Sequence, residues 1–356
     1  MKKLFRNIAL LLLIYIVISQ VAVNSLPFSW GNTRLNTKYE EFKSRVGDFN
    51  TIFIGASTTY RHIDPTIFDS RLAEEKPDWH IHSFNFGIPA NRTPQSIYAL
   101  KNLIEMKGND IEYIVLDLSE LTKMGVDNLH KKEMIYWYTR DNIVSVMQTS
   151  YDSEKGTLNK IGVPLLHLFS YGEKLLMVGM GSAMLEQHAG INIEELALGP
   201  DRNGYYSLDQ EMVDDPEGDL AIRYDVLRTQ DTIDFRTMQC QKLYDKYRDK
   251  GTGYSKTMEQ ELEDLIKLCN GKGIHMVVML SQRLGDRYEY LIPLYNRLPE
   301  ANKVSFANPA EYPELNDRNN LFDLAHLNRQ GSILFTDLFA TKFIEKVEAQ
   351  EGADAR

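Results

Sequence analysis

Apolar residues fall into two kinds of pattern along the chain: short continuous runs and stripes with a helical period. The runs are Thr51-Ile52-Phe53-Ile54, ending at Gly55; Ile81 to Phe86, ending at Gly87; Tyr113-Ile114-Val115-Leu116; His275 to Leu280; and a weaker Val304-Ser305-Phe306. The first, third and fourth are apolar throughout, as expected of parallel strands covered by helices on both faces. Between them, Gln95 to Met106 sets Ile97, Leu100, Leu103 and Ile104 on one side. Met258, Leu262, Leu265, Ile266 and Cys269 form a second stripe, with Thr257 and Gln260 as a capping box and Gly271 as its stop. A final helix pairs Leu334 with Leu338 and Phe335 with Phe339 and Phe343, with Asn328 as its N-cap. This alternation predicts a three-layer α/β fold with a parallel sheet, built from residues 48–122 and 251–347.

Residues 123–250 break the alternation. They are rich in Tyr, Met and charge, and predict a mostly helical insertion. Tyr136-Trp137-Tyr138 reads either as the insertion's core or as an apolar platform for a sugar or acyl chain. Gly179-Met180-Gly181-Ser182 lacks the preceding strand and the Lys of a phosphate-binding loop. Asn91-Arg92-Thr93 matches a glycosylation sequon, a weak signal alone. Residues 26–47 read as a linker and 348–356 as a disordered tail.

The N-terminus changes the picture of location. Lys2, Lys3 and Arg6 precede an apolar run from Ile8 to Val23, interrupted by Ser19 and Gln20. Residues 1–25 are therefore a signal peptide or a membrane anchor. The run is a little short of the ~20 residues that span a bilayer, but the poor cleavage site at 22–25 favours the anchor. In either case the basic residues stay cytoplasmic and the main domain lies outside, anchored or secreted. The net charge of −10, with 40 basic against 50 acidic residues, argues against nucleic acid as a partner. The two cysteines, Cys240 and Cys269, read as buried thiols or as one disulfide.

The candidate chemistry sits at the ends of the predicted sheet. Gly55-Ala56-Ser57 follows the first strand directly, and active sites of parallel α/β sheets gather beyond strand carboxyl ends. A helix starting at Ser57 would stabilise negative charge developing in a transition state. Near the other terminus, Asp323-Leu324-Ala325-His326 places an Asp three residues before a His. Such an Asp can fix the imidazole tautomer and leave its other nitrogen to take a serine proton. No second ligand cluster accompanies this pair, so no metal and no organic cofactor is implied.

These residues resemble the blocks of the SGNH (GDSL-type) esterase and acyltransferase superfamily. Phe53 to Ser57 resembles the nucleophile block and Asn85-Phe86-Gly87 the second block. Asp323 to His326, with Leu327-Asn328 and Gly331, resembles the last block, D-x-x-H-L-N-x-x-G. The resemblance implies a flavodoxin-like fold with Ser57, His326 and Asp323 as triad, and an oxyanion hole from the N–H groups of Ser57 and Gly87. Two positions depart from the pattern. Ala56 stands where many members carry Asp, and Asp117-Leu118-Ser119-Glu120 replaces the third block G-x-N-D with its oxyanion Asn. Asn91 is a substitute amide. Loss of one such donor can cost ~2.7–4 kcal/mol of transition-state stabilisation. Divergent third blocks are similar to those of membrane-anchored proteins that assist O-acylation of envelope polymers. Arg61, His62 and Arg283 are candidates for substrate binding or for surface ion pairs, while His80 and His82 read as structural.

Three functions stay open on the sequence. One is an esterase or acyltransferase acting on an acylated, most simply acetylated, envelope polysaccharide. The second is an inactive relative that binds glycan or assists a membrane acyltransferase. The third is a tethered structural scaffold.

Overall fold

The structure, a computed structural model, describes residues 1–119, 129, 132–153, 156–181, 193–214, 216, 218–226, 229–250, 255–284 and 291–354. The chain divides into two compact units, Met1–Asn36 with Lys123–Asn192, and Thr37–Thr122 with Ile193–Arg356. The strands are β1 (Thr51–Gly55), β2 (Ser83–Gly87), β3 (Tyr113–Asp117), β4 (His275–Leu280) and β5 (Lys303–Ser305). In chain order the principal helices are α1 (Lys2–Ser25), α2 (Thr33–Ser44), α3 (Ser57–His62), α4 (Pro65–Glu75) and α5 (Thr93–Ile104). They continue with α6 (Ile143–Ser153), α7 (Thr157–Leu175), α8 (Asp219–Val226), α9 (Gln230–Tyr247), α10 (Lys256–Asn270) and α11 (Arg329–Asp354).

The second unit is the α/β core. Its five strands are all parallel, in the order β2-β1-β3-β4-β5. That is a doubly wound order, whose reversal falls between β1 and β3. Side chains alternate across the sheet. Phe53, Val115, Val277, Met279 and Val304 bury one face under Phe68 and Leu72 of α4 and Phe335, Phe339 and Phe343 of α11. Ile52, Ile54, Ile114, Leu116, Met276 and Val278 bury the other. On that side Cys269 of α10 lies 3.8 Å from Met276, and Phe42 of α2 packs edge-on against Phe84 and Phe86. Helices thus cover both faces, which is why the strands can be apolar throughout.

Several boundaries differ from the sequence expectations. Residues 26–47 are not a bare linker, because α2 buries Lys38 and Phe42 completely. The Lys38 ammonium donates to the carbonyls of Asn85, Gly87 and Gly204 at 2.7–2.8 Å, a set of partners no local pattern announces. The insertion ends at 192 rather than 250. Residues 193–250 belong to the core unit, where the Asn203 carbonyl accepts from Asn85 N and Ile233 and Cys240 join the sheet-face cluster. The tail is helical to Asp354, since Val347 is buried and the Gln350 amide donates to the carbonyls of Met276 and Ala301. The N-cap of α10 is Ser255, whose hydroxyl accepts from Met258 N, rather than Thr257. Gly271 keeps right-handed helical dihedrals, and the left-handed turn falls at Gly273. Asn328 does cap α11, accepting from Gly331 N at 2.8 Å. Both cysteines are buried, and no disulfide joins them.

In the first unit, α6 and α7 form a helical pair around Tyr136, Trp137 and Tyr138. All three rings are buried, so the platform reading gives way to core packing. The Tyr138 hydroxyl meets His167 Nδ1 at 2.6 Å, and Lys174 Nζ donates to the carbonyls of Tyr136 and Tyr138. Among the described residues α1 alone is long and apolar enough to cross a membrane. Ser182, the end of the glycine-bearing segment, lies outside the described residues.

Candidate active site

Ser57 begins α3 two residues beyond β1, at the carboxyl edge of the sheet. The turn is tight on both sides. A Cβ at Gly55 would stand 2.1 Å from Thr59 Oγ1, and one at Gly87 2.2 Å from Tyr60 N. Glycine at 55 and 87 therefore lets α3 lie directly on the ends of β1 and β2. As first residue of α3, Ser57 has an N–H with no acceptor inside the helix.

Asp117 fixes the same turn from the end of β3. Its Oδ2 accepts from Thr58 Oγ1 at 2.6 Å and Thr59 Oγ1 at 3.1 Å, and its Oδ1 from Ser281 N at 3.2 Å. Burial pushes this carboxyl's pKa up, while its hydrogen bonds to Thr58, Ser281 and Thr59 oppose that shift. The position at which the resemblance departs from G-x-N-D therefore carries an anchor for the turn that bears Ser57. An Asp at a strand end, facing two threonines just after the serine, was the available signal.

His326 is carried on a loop closed by the Leu321–Leu327 bridge, with Phe322 N donating to His326 O. His326 Nε2 lies 2.9 Å from Ser57 Oγ. Its Nδ1 lies 2.9 and 3.1 Å from the two oxygens of Asp323. Asp323 Oδ1 also accepts from the N–H groups of Ala325 and His326, so the three-residue spacing itself holds the carboxylate in place. An ionised carboxylate only accepts, so Nδ1 carries the proton and Nε2 is left to accept from the serine hydroxyl.

The charges around the ring favour that state. Burial lowers the His326 pKa below its ordinary 6.5; Asp323 opposes this, and the positive charges of Arg283 and Arg223 add to it. Burial works against the Asp323 charge, but the His326 hydrogen bond and charge, the Ala325 N–H and Arg223 together hold its carboxyl well below the usual range. A neutral imidazole beside an ionised carboxylate is the starting state of a serine–histidine base pair.

The remaining sequence candidates are placed differently. His62 is fully buried, and its Nε2 accepts from Leu327 N at 3.1 Å. It supports the loop bearing His326 and has no surface for substrate. Burial, with His326 and Arg283, holds its pKa well below 6.5 despite Asp323. Arg61 is buried too. It donates to the Tyr206 carbonyl at 2.7 Å, pairs with Glu211 and lies over the Tyr60 ring. Both residues build the site's wall. Arg283 follows β4 and is close enough for its charge to depress His326, His62 and the buried Asp117.

The oxyanion donors are altered as well. The Gly87 N–H donates to Asn85 Oδ1 at 2.8 Å, so it is already engaged, and the glycine is required for the close approach of Tyr60. Asn91 is buried, donates to Ser96 Oγ at 3.1 Å and does not present an open sequon. Ser57 N–H is the candidate donor that the fold leaves available. A cavity of about 520 Å³ lies among Tyr224, Ile233, Leu321, Phe322, Asn328 and neighbouring side chains, and the side chains of Ser57, Asp323 and His326 do not line it.

Sequence reasoning missed Arg223. It sits on α8, forms an ion pair with Asp323 Oδ2, and brings Nη2 to 3.3 Å from His326 Nδ1. Since both Arg223 and Nδ1–H are donors, the carboxylate is their shared acceptor. No motif marks this arginine; only tertiary structure brings residue 223 to residue 323. Among the described residues no cluster of His, Cys, Asp and Glu has the makings of a metal site.

Comparison of the chain with protein-family models, with curated proteins and with solved structures gave no match.

Proposed function

We propose that the protein is a membrane-tethered serine esterase or O-acyltransferase of the SGNH type, acting on acyl esters, most simply acetyl, of a cell-envelope or extracellular polysaccharide. The observation that carries this reading is the continuous path from Ser57 Oγ through His326 to Asp323, at 2.9 Å on each side of the ring. Ser57 Oγ attacks the ester carbonyl while its proton passes to His326 Nε2. The tetrahedral oxyanion is held by the Ser57 N–H at the start of α3. Collapse breaks the bond to the alcohol oxygen, which leaves with the proton from Nε2, and an acyl group remains on Ser57. Water or a sugar hydroxyl then attacks that acyl group, giving its proton to Nε2, and Ser57 is regenerated. Asp323 stays ionised throughout and holds the ring. The substrate side would be an acylated carbohydrate, and α1 would keep the domain at the outer face of the cytoplasmic membrane.

A second reading has its own support. The engaged Gly87 N–H and the absence of the third-block Asn leave few oxyanion donors. These features favour a slow or inactive relative that binds glycan or assists a membrane acyltransferase. The test is hydrolysis of p-nitrophenyl acetate by the full chain beside Ser57→Ala, with mass spectrometry of the quenched reaction. Turnover and a Ser57-linked acetyl group, both lost in the variant, support the enzyme. Equal rates in both proteins and no adduct would reject Ser57 as nucleophile and leave the second reading.

A further inference from the structure

Helix α7 is built the wrong way round for water. Its buried residues are Pro164, His167, Ser170 and Lys174. Its exposed residues include Leu158, Ile161, Leu165, Leu168 and Phe169. Exposure is large where it matters, 86% at Leu158 and 62% at Phe169. In a water-facing helix the apolar stripe turns inward and the charges outward. Here the ammonium of Lys174 and the imidazole of His167 face the protein, where each finds partners, and the apolar stripe faces out. That distribution is what an acyl-chain environment selects, because ionisable groups turn to the protein interior there.

A second observation says which environment. The C-terminal end of α7 is tied to α1. Tyr15 OH and Ser19 Oγ both donate to the Leu176 carbonyl, at 2.5 and 3.1 Å, and Gln20 Nε2 donates to the Leu175 carbonyl at 2.8 Å. All three donors lie within the apolar run Ile8 to Val23, whose length as a helix is about 24 Å. The polar interruptions of that run thus satisfy the carbonyls left unpaired at a helix end. Both sets of groups would be costly if left alone in hydrocarbon. The joint also fixes the level of α7: its end meets α1 inside the segment that would occupy the membrane. The exposed apolar surface of α1 therefore continues onto α7.

We infer that α7 is a second membrane-embedded element, with Leu158, Ile161, Leu165, Leu168 and Phe169 in contact with lipid acyl chains. It lies against α1 without being a second span, since α1 alone among the described helices has the length and hydropathy to cross. The inference rests on reading α1 as a membrane segment. The first unit would then meet the bilayer through two elements, α1 and α7.

The test reconstitutes the full chain in phosphatidylcholine–phosphatidylglycerol vesicles containing lipids with a nitroxide on the acyl chain. An environment-sensitive fluorophore is attached at Leu165→Cys, at Val17→Cys in α1, or at Lys267→Cys on the charged side of α10. Cys240 and Cys269 are buried, and the chain without an added cysteine supplies the background. The expected result is a loss of fluorescence at position 165 comparable to that at 17, with none at 267. Quenching at 17 without quenching at 165 would overturn the inference and leave the anchor standing. Shielding of 165 from aqueous iodide without lipid quenching would replace lipid by a protein partner. Absence of quenching at both 17 and 165 would remove the anchor reading and this inference with it.

Discussion

Helices α10 and α7 are both amphipathic, and they are buried on opposite faces. α10 turns Met258, Leu262, Leu265, Ile266 and Cys269 onto the sheet, leaves Lys256, Asp264 and Lys267 to solvent, and pairs Glu259 with Arg297 and Glu261 with Lys101. α7 turns Lys174, His167 and Ser170 inward and leaves leucines and Phe169 outside. Period alone gives the existence of two faces and not their assignment. The assignment depends on what medium each face meets, and in α10 that medium is water. The α/β unit carries the candidate chemistry, and the α1–α7 pair carries the candidate attachment, so the two should respond to different substitutions.

The largest separation should come from Ser57→Ala. Ester hydrolysis should fall by about 10⁴- to 10⁶-fold, the scale on which single triad members act in serine hydrolases, while sedimentation with membranes is unchanged. Retained activity would break the assignment of chemistry to this unit. Next, Leu262→Ala on α10 should cost about 2–5 kcal/mol, read by denaturant unfolding in detergent. A cost near zero would mean that the α10 face is not a packed core.

Acid should act on the α/β unit as well. His62 and His326 are both held neutral, with pKa values below the 6.5 of the unfolded chain. Below that pH the unfolded state binds more protons than the folded one, so stability falls with the pH. The buried carboxyls of Asp69 and Asp117, whose pKa values are raised, push the other way in a thermal melt, so the readout is the two rings themselves: the His62 and His326 resonances should titrate below pH 6.5, and titration at or above it would contradict the buried neutral pair. A smaller effect is expected at Arg223→Ala. Removing this positive charge raises the His326 pKa, so the acidic limb of kcat/KM should move up in pH, or the His326 ring resonances should titrate higher. An unchanged titration would mean that Arg223 does not act on the ring. The smallest effect belongs to Leu165→Ala on α7. Its unfolding free energy in detergent should stay within about 0.5 kcal/mol, in contrast with Leu262→Ala. A core-sized loss at 165 would erase the distinction between the two helices.

Much of the sheet was legible because buried parallel strands write themselves as apolar runs. β1, β3 and β4 each lie in such a run, and Gly55 and Gly87 mark two strand ends. The local half of the site was legible too. Asp323 and His326 lie three residues apart, and the backbone N–H groups of Ala325 and His326 both donate to that carboxylate within the loop itself. The roles of residues 26–47 and 193–250 leave no mark in the sequence because their partners are distant. Lys38 serves carbonyls at 85, 87 and 204, and Arg61 serves Tyr206 and Glu211. Neither partner set leaves a periodic mark.

The sequence by itself determined the strands, the turn that carries Ser57, the Asp–His spacing and an apolar N-terminal helix, since each rests on contacts within a few residues or on a period. Tertiary structure decided that Arg223 reaches the Asp323 carboxylate, that the Gly87 N–H is spent on Asn85, and that the apolar side of α7 faces outward. Those outcomes depend on which donor meets which acceptor and which medium meets which face, and such pairings exist only once distant segments have been brought together.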